Sequence, residues 1–233
     1  SSHQVKVTVM DASELYDPEF RKLIKSKKQT VIIPVGSLEQ HGAHLPITTD
    51  SDIVTEIASR LGKKCGFIVF PTINYGISFE HSPLFNTSIT ATALGIILSN
   101  IAASLVENGV TRIIILNGHH GNAQILGLVK DAWGVLSYWH FMKHEFDHAG
   151  FVETSIMLAI SDKVKMKKAK KGLITKGLSK EEKERISKLS TQPGGFPKVA
   201  KNGVWGDPTG ATKKDGEKFL AEIVRNLAKE CQT

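Results

Sequence analysis

Four short apolar runs govern what this chain can become: VIIPVG at 31–36, FIVFPTI at 67–73, RIIILNG at 112–118 and VLSYW at 135–139. Each is rich in β-branched or aromatic residues and continuous in its hydrophobicity. A strand with one wet face alternates apolar and polar residues, whereas a strand covered on both faces does not. The segments between the runs carry helical spacing instead. SDIVTEIASRLGKK sets Ile53, Ile57 and Leu61 on one stripe, with Ser51 as its candidate N-cap. TATALGIILSNIAASLVENGV makes a longer helix that closes at Gly109, and NAQILGLVKDAW follows the third run. Beyond residue 150, ETSIMLAI, LSKEEKERISKL and KKDGEKFLAEIVRNLAKE also read as helices, the second polar enough to lie on the surface. Strands alternating with helices predict an α/β sandwich around a mostly parallel sheet. No linker or internal repeat divides the chain, so one domain is expected over 1–233. The Gly- and Pro-rich stretch at 191–212 is too varied for a spacer and is expected to be a functional or interface loop.

Composition narrows the function classes. No run approaches the ~20 apolar residues that span a bilayer, and SSHQVKVTVMDASE does not have the pattern of a secretory signal. Two cysteines, Cys65 and Cys231, supply no disulfide framework, so a reducing cytoplasm is expected. The net charge of +7 raises the question of nucleic acid. Much of the excess sits in the Lys-rich segment 163–177, without interleaved aromatics, which favours a solvated surface over a phosphate groove. The same segment would also suit an anionic small substrate or a neighbouring subunit.

The chemistry-bearing residues fall just after the strands, where open α/β sheets build their sites. Glu39, His41, His44 and Asp50 follow the first run. His119 and His120 follow the third, and His140, His144, Glu145, Asp147, His148 and Glu153 follow the fourth. Taken singly these have ordinary readings: Asp50 or Ser51 as a helix cap, and the glycine-flanked histidines as an anion-binding turn. Together, imidazoles and carboxylates delivered to one sheet edge form the ligand set that zinc, manganese or iron prefers. A bridging carboxylate with two further ligands per ion would hold two cations about 3.5–4 Å apart, an arrangement suited to hydrolysis.

PVGSLEQHGAHLPITTD, LNGHHGN, HAGFVETS and GVWGDPTGAT, in that order, resemble the creatininase (creatinine amidohydrolase) family from about residue 31 to about 220. The resemblance implies a three-layer α/β/α fold, assembly as a homo-oligomer (usually a hexamer), a small-molecule substrate, and hydrolysis of non-peptide C–N bonds with two divalent ions. Glu39 and His119 would bind one ion, His41 the other, and Asp50 would bridge them. His148 would be the catalytic histidine that carries a proton from the attacking water to the leaving nitrogen.

Three departures qualify the match. Creatinine-hydrolysing members have a glutamate ligand in G-H-Y-E-N where this chain has Gly121, so Glu153 is assigned to the second ion. They have a tryptophan four residues before the catalytic histidine, and here that position is His144, with Trp139 retained in SYW. The segment between SYW and HAG is also shortened to eight residues, His140 to Asp147, which removes a wall of the creatinine pocket. His81, in an altered F-P-G-T stretch reading EHSPLFNTS, joins Trp139 and His120 as expected substrate contacts. The expected activity is therefore that of an amide, cyclic-amide or formamide hydrolase. Deformylation of a formamidopyrimidine nucleotide and metal-dependent binding without turnover are the alternatives.

Overall fold

The computed structural model describes residues 11–26, 29–129 and 134–232. Residues 1–10 of the N-terminal stretch read for a signal, and the KDAW end of NAQILGLVKDAW at 130–133, lie outside them. Helix α1 (Asp17–Ser26) leads into strand β1 (Thr30–Val35), and α2 (Thr49–Cys65) into β2 (Ile68–Val69). Then come α3 (Ala91–Glu107), β3 (Arg112–Asn117), the one-turn α4 (Ala123–Leu126) and β4 (Gly134–Ser137). The remainder is helical: α5 (Phe151–Ile160), α6 (Lys180–Ser190), the one-turn α7 (Phe196–Val199) and α8 (Lys213–Gln232). The four strands form one parallel sheet in the order β2-β1-β3-β4.

Alternation along the central strands explains the layers. Val31, Ile33 and Val35 of β1, with Ile113 and Ile115 of β3, turn to one face and pack with Leu94, Leu98 and Ala102 of α3. Ile32, Ile114 and Leu116 turn to the other and meet Ile53, Ile57 and Leu61 of α2, Ile156 of α5 and Leu220 and Ile223 of α8. The result is the expected α/β/α sandwich. Each fully buried aliphatic side chain of this kind contributes about 1.5–3 kcal/mol, so continuous hydrophobicity in β1 and β3 is what two covered faces demand.

Several boundaries differ from the sequence expectation. Only Ile68 and Val69 of FIVFPTI pair as a strand, and Ile73 returns to a single bridge with Val35. Pro34 accepts from Ile73 N–H at 2.9 Å on that side of β1 but has no N–H to give back, so the ladder is interrupted there. Tyr138 and Trp139 leave the fourth strand for a 3-10 turn. Ser51 does not cap α2: the helix starts at Thr49, and Ser51 Oγ donates to Ser37 O at 3.3 Å, tying the first turn to the loop after β1. α6 is surface-exposed as expected, opened by a reciprocal capping box between Ser179 and Glu182. No described helix is long and apolar enough to cross a membrane.

Candidate metal centre

The ends of β1 and β3 leave a gap that the first turn of α2 enters. Gly118 makes this possible, because a Cβ there would lie 2.6 Å from Val54 Cβ and 2.9 Å from Asp50 O. Asp50 is thereby set between loops carrying Glu39 and His41 on one side and His119 on the other, with Glu153 arriving on the first turn of α5. Asp50 Oδ1 lies 3.1 Å from His41 Nε2, and Oδ2 lies 3.0 Å from His119 Nδ1. His41 Nε2 is also 3.5 Å from Glu153 Oε2, and His119 Nε2 is 3.3 Å from Glu39 Oε2. Donor atoms of Glu39, Asp50 and His119 all fall within 4.8 Å of one another, as do those of His41, Asp50 and Glu153. Asp50 belongs to both groups.

These residues fit a cation. Glu39 Oε1 and Oε2, Asp50 Oδ2 and Glu153 Oε1 are buried without a hydrogen bond, an arrangement that costs several kcal/mol per charge unless a counter-charge is present. The imidazoles are prepared in the same sense. His41 Nδ1 donates to Glu39 O at 3.1 Å and His119 Nε2 donates to Ile77 O at 2.7 Å, so His41 Nε2 and His119 Nδ1, both facing Asp50, are the nitrogens each ring would offer to a cation on giving up a proton. A ring hydrogen held by a carbonyl is how ligating histidines are usually oriented.

Electrostatics divides the group. Burial opposes ionisation of Glu39, but His119 and His81 hold its carboxyl well below the usual range. Burial, with Asp50 and Asp147, pushes Glu153 up to about 8 against the pull of His41. His41 rises to about 10 despite its burial, because Asp50 and Glu153 face it. Burial and the neighbouring His41 and His81 hold His148 well below its ordinary value, so its imidazole is neutral.

His148 is fixed by paired backbone bonds with Trp205, N–H to O at 3.1 Å and back at 2.8 Å. The next residue, Ala149, has φ +52° and donates to Glu153 Oε2 at 2.6 Å. His148 Nδ1 lies 3.8 Å from Glu39 Oε1, and His81 Nε2 lies 3.1 Å from the same oxygen. A cavity of about 350 Å³ opens above the cluster, and its wall includes His81, His120, Phe79, Phe146, Phe196 and Trp205. Trp139 is not part of that wall. It stacks under His120 at 5.8 Å and packs on Phe146 at 4.9 Å. His44 stands outside the donor groups, with Nε2 2.9 Å from Thr154 Oγ1.

Sequence reading missed Glu80, whose Oε1 is 3.5 Å from His119 Nε2 at the cavity wall. The adjacent Glu-His pair in EHS was the available signal. It also missed Phe196 and the last turn of α6, where Ser187 and Ser190 reach the cavity. Among the described residues the wall contains no Lys or Arg, and none of the Lys-rich 163–177 segment lines it.

A family model for creatinine amidohydrolase matches residues 13–231. Among curated proteins, the mycofactocin precursor peptide peptidase of Mycobacterium ulcerans (strain Agy99) is 34% identical over 212 residues, 84% of this chain and 81% of that protein. The creatinine amidohydrolase of Pseudomonas putida is 27% identical over 183 residues, 63% of this chain and 70% of that protein. The crystal structure of creatinine amidohydrolase (creatininase) superposes with a TM-score of 0.79 at 24% identity, covering 96% of both chains.

Proposed function

The chain belongs to the creatininase family, and on that premise we propose that it is a dinuclear metal-dependent hydrolase of an amide, cyclic amide or formamide C–N bond in a small molecule. The observation that carries this reading is the pair of donor groups sharing Asp50 beneath one cavity. Glu39 and His119 would hold one ion and His41 and Glu153 the other, with Asp50 shared between the two donor groups. Glu153 makes up for the carboxylate that Gly121 lacks. When bound there, two divalent ions (zinc, manganese or iron(II)) would supply the acidity that activates a water and the charge that polarises a carbonyl.

The remaining work belongs to side chains. His148 is neutral and turns Nδ1 to the cluster, so it takes the proton of the attacking water and returns it to the departing nitrogen. Phe79, Phe146 and Phe196 exclude solvent and seat the apolar part of the substrate. The cavity volume is at the small end of ligand sites, which run from roughly 300 to 1,000 Å³. The absence of Lys and Arg among its described lining residues weighs against a phosphorylated nucleotide. Exposed Ile96, Ile97 and Val106 on α3 support assembly as a homo-oligomer, and sedimentation would establish whether six chains are present.

Trimming of a peptide is the second reading, favoured by 34% identity to a precursor-peptide peptidase over more than four-fifths of both chains. Elemental analysis of protein purified without chelators, followed by assay of formamides, cyclic amides and short peptides with each metal restored, separates the readings. About two ions per chain and turnover of small amides are expected. Cleavage of peptides alone would select the second reading. One ion or fewer with no turnover would leave a metal-dependent binding protein.

A further inference from the structure

One side chain beside the donor cluster makes contacts that require a carboxamide. Gln40 lies between Glu39 and His41 and is buried. Gly42 N–H donates to Gln40 Oε1 at 3.0 Å, and this bond fixes the amide's direction, with oxygen to the backbone and NH₂ to the opposite side. There Nε2 lies 2.9 Å from His81 Nδ1 and 3.1 Å from His148 Nε2. An amide NH₂ donates and does not accept. His81 Nδ1 is therefore the acceptor, its one hydrogen sits on Nε2, and that N–H is presented to Glu39 Oε1 at 3.1 Å.

His148 is held by the same residue. Its Nε2 has the Gln40 amide as a donor at 3.1 Å and the Gln40 carbonyl as an acceptor at 3.0 Å. The nitrogen finds a partner whether or not it carries a hydrogen, so Nδ1 can gain or lose a proton without the ring turning. Phe196 closes the other side, its ring centroid 4.5 Å from His81 and 4.8 Å from His148.

We infer that Gln40 is a positioning residue: it sets the hydrogen of His81 towards Glu39 and keeps His148 Nδ1 facing the donor cluster. His81 Nε2–H then faces the Glu39 carboxylate, and that nitrogen is unable to bind a cation or to accept from a substrate. The consequence for turnover rests on the hydrolase reading, whereas the placement of the His81 hydrogen does not.

The test is Gln40→Glu, which keeps the shape and exchanges the NH₂ for an acceptor. Nitrogen-15 spectra of histidine-labelled, zinc-loaded protein report which ring nitrogen is protonated, and His81→Asn identifies the His81 signals. In the native protein His81 carries its hydrogen on Nε2; in Gln40→Glu the hydrogen moves to Nδ1. Turnover falls about 10–100-fold, the range for loss of such an outer partner, through kcat with KM and zinc content unchanged. Gln40→Met removes the donor without adding charge and gives mixed tautomers with an intermediate loss, so the inference stays testable if the glutamate variant misfolds. A native His81 bare at Nε2, or one whose hydrogen stays put in both variants, overturns the inference. Loss of zinc together with turnover also overturns it, because Gln40 would then be retaining metal. If the hydrogen moves as described while the native protein hydrolyses no amide, the positioning role stands and the hydrolase reading fails.

Discussion

The floor of the cavity comes from strand ends and the first turns of helices, and none of Glu39, His41, Asp50, His119 or Glu153 is more than 4% exposed. The roof comes from a 3-10 turn carrying Phe79, the last turn of α6 and the one-turn α7. The floor histidines His41 and His119 are held on both sides of the ring, by a backbone carbonyl on one nitrogen and a carboxylate on the other. The α6 part of the roof hangs from a helix with one buried residue, Ser190. On the proposed function, reaction type would rest with the sheet and choice of substrate with the loops above it, a division that loops on rigid scaffolds commonly serve.

Substitutions should separate the two regions. The largest effect is expected at the shared carboxylate: Asp50→Ala should bring bound metal from about two ions per chain to near none and abolish turnover, measured by elemental analysis beside activity. Retention of both ions would break the assignment of Asp50 to the floor. His148→Ala should keep the metal and lower kcat by about 10²–10⁴-fold, the usual worth of a positioned acid–base group. Full activity in that variant would remove His148 from the proton path.

Behind the floor, burial and the neighbouring His41 lower His44 from 6.5 to about 4. A depressed base stabilises the fold only while the unfolded histidine is neutral too. Stability should therefore fall as pH drops from about 6.5 towards 4, by up to about 3 kcal/mol. Urea titrations of chelated protein at pH 7 and 4.5 should show a smaller loss in His44→Gln than in the native chain. Equal losses would mean that His44 is not the responsible group.

On the roof, Phe196→Ala should leave metal content untouched and raise KM about tenfold, an apolar contact of roughly 1.4 kcal/mol. A collapse of kcat at constant KM would instead give Phe196 a part in the chemistry, through His81 and His148. The smallest effect belongs to the capping box of α6: Ser179→Ala should cost about 1 kcal/mol. Thermal melts together with KM measurements would tell whether fraying at that distance reaches Ser187 and Ser190.

The floor was legible because much of it is written consecutively. Glu39, His41 and Asp50 share one loop and one helical turn, so a single stretch of sequence displays them, and β-branched runs announced the sheet that carries them. What escaped notice depends on distance in space. Gln40 is an unremarked neighbour of two ionisable residues until His81 and His148, 41 and 108 positions away, are folded against it. Phe196 lies in a glycine- and proline-rich segment with no periodicity. The β2 strand looked longer than it is because hydrophobicity records burial, while pairing also needs the N–H that Pro34 lacks. Ser51 resembled a cap because its residue type favours one, but its hydroxyl was drawn to Ser37 O instead.

Four buried carboxylate oxygens without hydrogen bonds also bear on the lifetime of the chain. A cation that binds the folded form and not the unfolded one stabilises it by mass action. Chain starved of metal would spend more time open, and the open form is what proteases cut. Abundance in the cell would then follow the supply of the ion, with the sequence of the protein unchanged.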